Sequence, residues 1–280
     1  MSPPAPEHGC AIAEHPLAAG LDHIRELNDH LGAELGRPPG GWISLSRLVA
    51  DRALLDDALK RTALSYEATR RIAANFVAGA VTWATTAAPL ALMMLERRAI
   101  GPEPAATFIR IDERGQVNGV FYDDPSFCVL TADPAADHER ACAVDDQPAL
   151  HEWTRAHLVD SLQPLVCALS DLSHLGRRGL WGQITSSWGS IIVWAARLAG
   201  DASQGLQEAE AFLSGPGIAL SNPPAFYRVH HRSEELVAMR RGVCCLAYKL
   251  SDYPYCGSCP LISDDERSRR LRDEPDGERA

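Results

Sequence analysis

Four cysteines stand close together towards the end of the chain. Cys244 and Cys245 form an adjacent pair, and ten residues separate this pair from the turn-like sequence Cys256-Gly-Ser-Cys259. Thiolates are preferred ligands of zinc and of iron-sulfur clusters, and both kinds of centre take four of them. A single C-x-x-C would be a weak signal, because redox sites also contain it. The four together predict a metal centre in this segment.

The adjacent pair bears on which metal is bound. Zinc sites usually take paired ligands from two C-x-x-C turns, whereas neighbouring residues of an extended chain point to opposite sides. A vicinal pair therefore suits a centre larger than one ion, provided that the backbone bends beside it. We favour an iron-sulfur cluster, with a zinc site and a thiol-disulfide pair as the alternatives.

Composition limits the classes of protein that fit. The chain has 280 residues, 46% of them apolar, and a formal net charge of −10. This length suffices to bury a core, and the acidic balance argues against a nucleic-acid partner. The first twenty residues lack the basic start and apolar run of a signal peptide, so we expect a cytoplasmic protein. In a reducing compartment, clustered cysteines are more often metal ligands than disulfides.

The pattern of apolar residues predicts the elements that position these cysteines. A spacing of three or four predicts helices as far as about residue 98, one of them capped at Ser44 or Ser46. Strand-like runs follow at 106–112, 117–124 and 126–130, and an acidic loop at 131–147. Further helices are predicted at 148–172, 180–198 and 201–215, and a strand at 225–232. The predicted fold class is α+β, mostly helical with a small antiparallel sheet.

The predicted elements divide the chain into four parts. Residues 1–100 form an N-terminal helical region, and residues 101–239 add the small sheet and long helices around the same core. Residues 240–262 are the cluster-binding segment, and residues 263–280 a charged tail that we expect to fray.

One uncharged stretch, residues 72–95, is long enough to span a bilayer. It is rich in alanine, glycine and threonine, and its "TTAAP" sequence ends at Pro89, a residue that interrupts helices. We therefore predict two consecutive buried helices and no transmembrane span, and leave open an association with a membrane surface.

The sequences "RRGVCCLAYKL" and "YCGSCPL" resemble the C-terminal signature of the FhuF-like ferric siderophore reductases. Leu246, Tyr248 and Pro260 match that signature in addition to the four cysteines. The segment "RRGLWGQITSSW" at 177–188 is similar to a second family segment, although Gln183 stands where the family often has Asn.

The resemblance implies a function. The four cysteines would ligate a 2Fe-2S cluster that passes one electron to a ferric siderophore, with the hydroxamate type favoured. Electrons would come from an external donor such as a ferredoxin or a flavin- or NAD(P)H-dependent reductase, since the sequence shows no G-x-G-x-x-G motif for a dinucleotide. The competing functions are a non-enzymatic zinc-stabilised binding module and an iron-sulfur sensor or electron carrier without a siderophore substrate.

Several other residues are candidates for the same site. Arg240, Arg241 and Lys249 belong to a locally basic segment that would attract an anionic complex or raise the cluster potential. Arg177, Arg178 and Trp181 begin a predicted helix and are candidate substrate contacts, with core packing as the alternative for Trp181. The remaining cysteines have no metal spacing and are expected to be free thiols: Cys10, Cys128, Cys142 and Cys167.

Overall fold

Helices make up most of the computed structural model, which describes residues 15–215, 222–232, 234–251 and 253–273. The helices are α1 Ala18–Leu27, α2 Leu45–Ala50, α3 Arg52–Ser65, α4 Arg70–Glu96, α5 Gln147–Ser173, α6 Arg177–Leu198, α7 Ala202–Ser214 and α8 Asp264–Asp273. The strands are β1 Glu34–Leu35, β2 Ile43–Ser44, β3 Arg98–Gly101, β4 Thr107–Ile111, β5 Val117–Tyr122, β6 Ser126–Leu130, β7 Ala141–Val144, β8 Ala225–His231 and β9 Glu234–Arg240. The predicted α+β class is confirmed.

The strands form three small sheets. The first has the order β1-β5-β4-β2, in which β1 and β5 are parallel and the other pairs are antiparallel. The second has the order β3-β6-β7, and its β6-β7 pair is parallel. Strands β8 and β9 form an antiparallel hairpin. The expected acidic loop at 131–147 thus contains a strand, β7, which pairs along β6 and contributes to the second sheet.

Local sequence explains where several helices begin. The side chains of Ser44, Asp51, Thr69, Asp146 and Asp201 each accept a hydrogen bond from a backbone N–H of the first turn. Such caps satisfy donors that have no partner inside the helix. The predicted cap at Ser44 is confirmed.

Helix α4 lies at the centre of the molecule and does not break at Pro89. The prediction of two helices here is wrong, since α4 runs unbroken for 27 residues. A proline removes the N–H that would bond to the carbonyl four residues earlier, which is that of Thr85. The buried hydroxyl of Tyr122 donates to this carbonyl at 3.0 Å and so replaces the missing donor.

The same helix is long and apolar enough to cross a bilayer. However, 72% of its most apolar window is buried within the chain, where α4 packs against α3, α5, α6 and β3. Helix α6 crosses α4 and carries Trp181 and Trp188 into the core, with their ring centroids 6.3 Å apart. Core packing of Trp181, predicted as the alternative to substrate contact, is what the structure shows.

The charged segment after Ser263 is not wholly a frayed tail. Residues Asp264–Asp273 form α8, which packs against β9. Its Arg267 side chain is only 2% exposed and donates to the hydroxyl of Tyr227 on β8 at 3.2 Å. The remainder of the predicted tail, 274–280, lies outside the described residues.

Candidate metal centre

The cysteine segment follows β9 and packs tightly against helix α6. A Cβ atom added to Gly182 would lie 2.4 Å from a methyl carbon of Val243, so only a glycine at position 182 leaves room for this approach. Val243 directly precedes the cysteine pair. The sequence Trp181-Gly182-Gln183 therefore provides a core residue, a close contact with Val243 and a polar side chain that anchors the cysteine segment.

That anchor is bonded to Arg241. The guanidinium of Arg241 donates to the Gln183 side-chain oxygen at 2.8 Å and to the Ser258 hydroxyl at 3.0 Å. The backbone N–H of Arg241 also donates to the Ser258 carbonyl at 3.0 Å. Because Ser258 lies inside the Cys256–Cys259 turn, Arg241 joins both ends of the cysteine segment to α6.

The backbone bends immediately after the adjacent cysteines. Leu246 has a left-handed conformation with φ 67°, and a short 3-10 turn, Ala247–Lys249, follows it. This geometry turns backbone N–H groups towards sulfur. Leu246 N–H donates to the Cys244 sulfur at 3.3 Å, and Leu261 N–H donates to the Cys259 sulfur at 3.4 Å. Sulfur atoms that accept such bonds are typical of iron-sulfur sites.

The bend arranges the four thiols as two pairs. Cys245 forms a hydrogen bond with Cys256, and Cys244 forms one with Cys259, so each pair joins the vicinal cysteines to the C-x-x-C turn. Among the described residues, no set of three or more His, Cys, Asp and Glu side chains is spaced to hold a single metal ion. The two pairs together supply the four thiolate donors that either a 2Fe-2S cluster or a tetrahedral zinc ion takes.

The surroundings of the four cysteines favour a thiolate at Cys245 and oppose it at Cys244 and Cys256. The hydrogen bond from Cys256 lowers the pKa of Cys245 to about 5, with help from the Ala247 N–H and the Arg241 charge. The same bond, together with burial, raises the pKa of Cys256, and burial raises that of Cys244. One thiolate is thus available at neutral pH to begin metal binding.

Arg267, which no sequence pattern indicated, holds the other end of the segment. Its guanidinium donates to the carbonyls of Cys259 at 2.6 Å and Ile262 at 2.9 Å. Asn75 of α4 plays a similar part, since its side-chain amide donates to the Cys245 carbonyl at 3.3 Å. An amide within the uncharged stretch 72–95 requires a partner once it is buried, and this is the one sequence signal that pointed to Asn75.

A cleft opens beside the Cys245–Cys256 pair. It has a volume of about 630 Å³ and lies between α4 and the cysteine segment. Both of these cysteines line it, whereas the lining contains neither Cys244 nor Cys259, and Cys259 is buried. Three aromatic residues form part of its wall: Tyr66, Phe76 and Tyr253. One edge of the candidate centre is therefore open to a molecule in the cleft.

The other predicted site residues lie around this centre at different depths. Arg240, at the end of β9, and Lys249, in the 3-10 turn, are exposed. Arg177 and Arg178 are exposed at the start of α6, where Arg178 donates to the side chain of Asn222 at 2.7 Å. Of the predicted set, only Arg241 lines the cleft, and Trp181 is in the core.

The cysteines without metal spacing are free thiols where they are described. Cys128 and Cys142 lie opposite each other on β6 and β7, and Cys167 is on α5. This part of the prediction is confirmed for these three, and Cys10 lies outside the described residues.

Comparison with known proteins agrees with this geometry. Residues 241–261 match the family model described as the FhuF 2Fe-2S C-terminal domain. No curated protein matches the chain. The matched residues start at Arg241, include all four clustered cysteines and end at Leu261. Residues 241–261 are thus similar to an FhuF-type 2Fe-2S C-terminal domain, and this similarity indicates that the cofactor is a 2Fe-2S cluster.

Proposed function

We propose that this protein is a ferric-siderophore reductase whose cluster is held by Cys244, Cys245, Cys256 and Cys259. The observation that carries the proposal is the position of the cleft. Two of the four cysteines line it, so a chelate of a few hundred cubic ångströms would sit directly against the cluster. A purely structural metal site has no use for an open edge, and a zinc-stabilised binding module is therefore the weaker alternative.

The chemistry requires proximity and potential rather than proton transfer. A bound 2Fe-2S cluster supplies a carrier of one electron. One electron leaves the reduced protein and converts siderophore-bound Fe(III) to Fe(II), and no bond to the protein is made or broken. Hydroxamate oxygens hold Fe(II) much less tightly than Fe(III), so the reduced iron is released to other ligands.

An external donor must return the electron, and the exposed cations give it a place to dock. Arg240 begins the cysteine segment and Lys249 lies within it, in a chain that is acidic overall. Acidic ferredoxins, or the acidic face of a flavin- or NAD(P)H-dependent reductase, would be attracted to them. We place this reaction in the cytoplasm. Substituting both residues with glutamine should slow reduction by the donor and leave reoxidation by the siderophore unchanged.

The experiment is an anaerobic visible spectrum of the purified protein before and after reduction with dithionite. After excess dithionite is removed, ferrichrome, a ferric tris-hydroxamate, is added together with a chromogenic Fe(II) chelator. We expect bands that bleach on reduction, return on addition of ferrichrome and yield one Fe(II) per cluster. A matched sample of the Cys256→Ser variant controls for residual dithionite.

Two results would contradict the proposal in different ways. A colourless protein that contains stoichiometric zinc would identify the structural module. A reduced protein that reacts with a ferredoxin but not with ferrichrome or other ferric chelates would identify an electron carrier or sensor.

A further inference from the structure

In the described part of the chain, the three aromatic residues of the cleft wall make no hydrogen bond to the clustered cysteines. Tyr66 and Phe76 come from the N-terminal helical region, and Tyr253 comes from the cysteine segment, so the wall joins two distant parts of the sequence. The ring of Tyr66 lies 4.9 Å from that of Phe76 and 6.1 Å from that of Tyr253. The three rings form a continuous apolar surface beside Cys245 and Cys256.

We infer that these three rings are the docking surface for the ferric siderophore, an inference that rests on the proposed function. Clefts of about 300–1,000 Å³ with apolar walls and a few polar groups are typical small-molecule sites. Here the polar groups are the side chains of Asn75, Gln183 and Arg241, which converge at the cysteine end of the cleft.

Small residues of α4 leave space in the cleft. Gly79 and Ala80 line it between the aromatic wall and Gln183. A Cβ atom on Gly79 would approach the Gln183 side-chain nitrogen to 3.4 Å, so a larger side chain there would fill space that a ligand needs. This arrangement exposes the Cys245–Cys256 edge to a bulky chelate.

Charge indicates which chelate fits. Arg241 is the one arginine or lysine among the described lining residues, and the lining includes no acidic side chain. An all-cysteine 2Fe-2S cluster is a dianion when oxidised and a trianion when reduced. A tris-catecholate complex of Fe(III), itself a trianion, would be repelled by it in an apolar cleft, whereas an uncharged tris-hydroxamate complex would not.

Binding can be measured without electron transfer. Ga(III) has the charge and nearly the size of Fe(III) but is not reduced, so the gallium complex of desferrichrome reports docking alone. We expect calorimetric binding to the oxidised, cluster-loaded protein. Tyr253→Ala and Phe76→Ala should each raise the Kd by about tenfold, as loss of an aromatic anchor usually does. Tyr253→Phe should retain affinity, because the ring makes the contact.

The control is Leu64→Ala, which removes an apolar side chain that is 80% exposed, two residues before Tyr66, and does not line the cleft. Its Kd should equal that of the wild type. Tyr253 is 45% exposed, so its substitution should not disturb folding, and an unchanged visible spectrum verifies this.

Three outcomes would overturn the inference. They are absence of wild-type binding to the gallium tris-hydroxamate, unchanged affinity in both alanine variants, and tighter binding of a gallium tris-catecholate. None of them touches the proposed function if ferrichrome still reoxidises the reduced protein. Conversely, if no ferric chelate reoxidises the reduced protein, the proposed function itself is wrong.

Discussion

The guanidinium of Arg241 donates a hydrogen bond of 2.8 Å to the side-chain oxygen of Gln183, and it thereby fixes a positive charge beside Cys245 and Cys256. A fixed cation stabilises the extra electron of a reduced cluster. We therefore expect Arg241→Gln to lower the midpoint potential, measured by anaerobic redox titration of the visible bands.

Arg240→Gln is the matched control, because it removes the same charge from the adjacent but exposed position. Solvent screens that charge, so its effect on the potential should be much smaller. Gln183→Leu, which leaves Arg241 charged but unanchored, should give an intermediate potential. Equal shifts in the Arg240 and Arg241 variants would show that the anchoring has no electrostatic consequence.

Substitution of any clustered cysteine should abolish cluster assembly. Cys244→Ser and Cys256→Ser each remove one donor from a different pair, and we expect loss of iron, acid-labile sulfide and the visible bands in both. Cys167→Ser, on α5, serves as the control and should retain the full iron content. A normal spectrum in either of the first two variants would remove that residue from the ligand set.

The contact between Gly182 and Val243 predicts an unusual effect of alanine. In a helix interior, alanine normally stabilises relative to glycine by about 0.5–1 kcal/mol. At position 182 the new methyl group would overlap Val243, so Gly182→Ala should instead lower the free energy of unfolding by about 1–3 kcal/mol.

The neighbouring Gly179 provides the control for this effect. Its added Cβ would meet no atom closer than 3.8 Å, and Gly179→Ala should be neutral or stabilising in urea denaturation. Combining Gly182→Ala with Val243→Ala should restore part of the lost stability. If the double variant is no more stable than Gly182→Ala alone, the overlap does not explain the loss.

The hydrogen bond from Tyr122 to the Thr85 carbonyl predicts that substitutions of Tyr122 and Pro89 have coupled effects on stability. Tyr122→Phe leaves that buried carbonyl without its donor and should cost about 1–2 kcal/mol. In the Pro89→Ala background the main chain supplies an N–H four residues on, so the same substitution should cost less. A double-mutant cycle from chemical denaturation measures this difference, and additive effects would contradict the account.

Glu208 predicts a dependence of stability on pH. Burial by itself would raise its pKa, but hydrogen bonds from His151 and Arg97 outweigh burial and lower the pKa to about 2 from 4.5. The folded state therefore binds this proton less readily than the unfolded state does. Its contribution is about 2–3 kcal/mol once solvent screening of the partly exposed carboxylate is allowed for; it is complete above pH 4.5 and is lost as the pH falls towards 2.

Glu208→Gln should accordingly be less stable than the wild type at pH 7, and the difference should shrink by pH 3. The free energy of unfolding of both proteins, measured by urea denaturation between pH 7 and pH 3, tests this prediction. Glu210→Gln changes an exposed carboxylate on the same helix and should show no such difference at either pH. A constant difference between wild type and Glu208→Gln would show that the pKa is not shifted.

Sequence reasoning succeeded where the responsible residues lie close together in the chain. The cysteine constellation lies within one short segment, and the apolar spacing of 148–172 and 180–198 predicts α5 and α6 nearly to their ends. The vicinal pair also required a bend, and Leu246 supplies it.

It failed where a partner from elsewhere decides the outcome. The continuity of α4 depends on Tyr122, which lies 37 residues beyond Thr85. The aromatic wall combines rings from opposite ends of the sequence, and no local pattern indicates such a meeting. Helix α8 has one apolar residue, Leu271, which packs against the β8-β9 hairpin, and the buried Arg267 attaches the helix to backbone carbonyls of the cysteine segment.

The position of Arg267 affects where the cofactor-binding unit can be cut. A fragment that ends at Leu261 would retain every residue of the matched family domain, yet it would lack the guanidinium that grips the Cys259 carbonyl. A fragment that begins at β8 would lack the amide of Asn75 and the anchor at Gln183. The 21-residue signature therefore depends on side chains from outside it. Grafting it onto another scaffold requires that the contacts from α4, α6 and α8 be included.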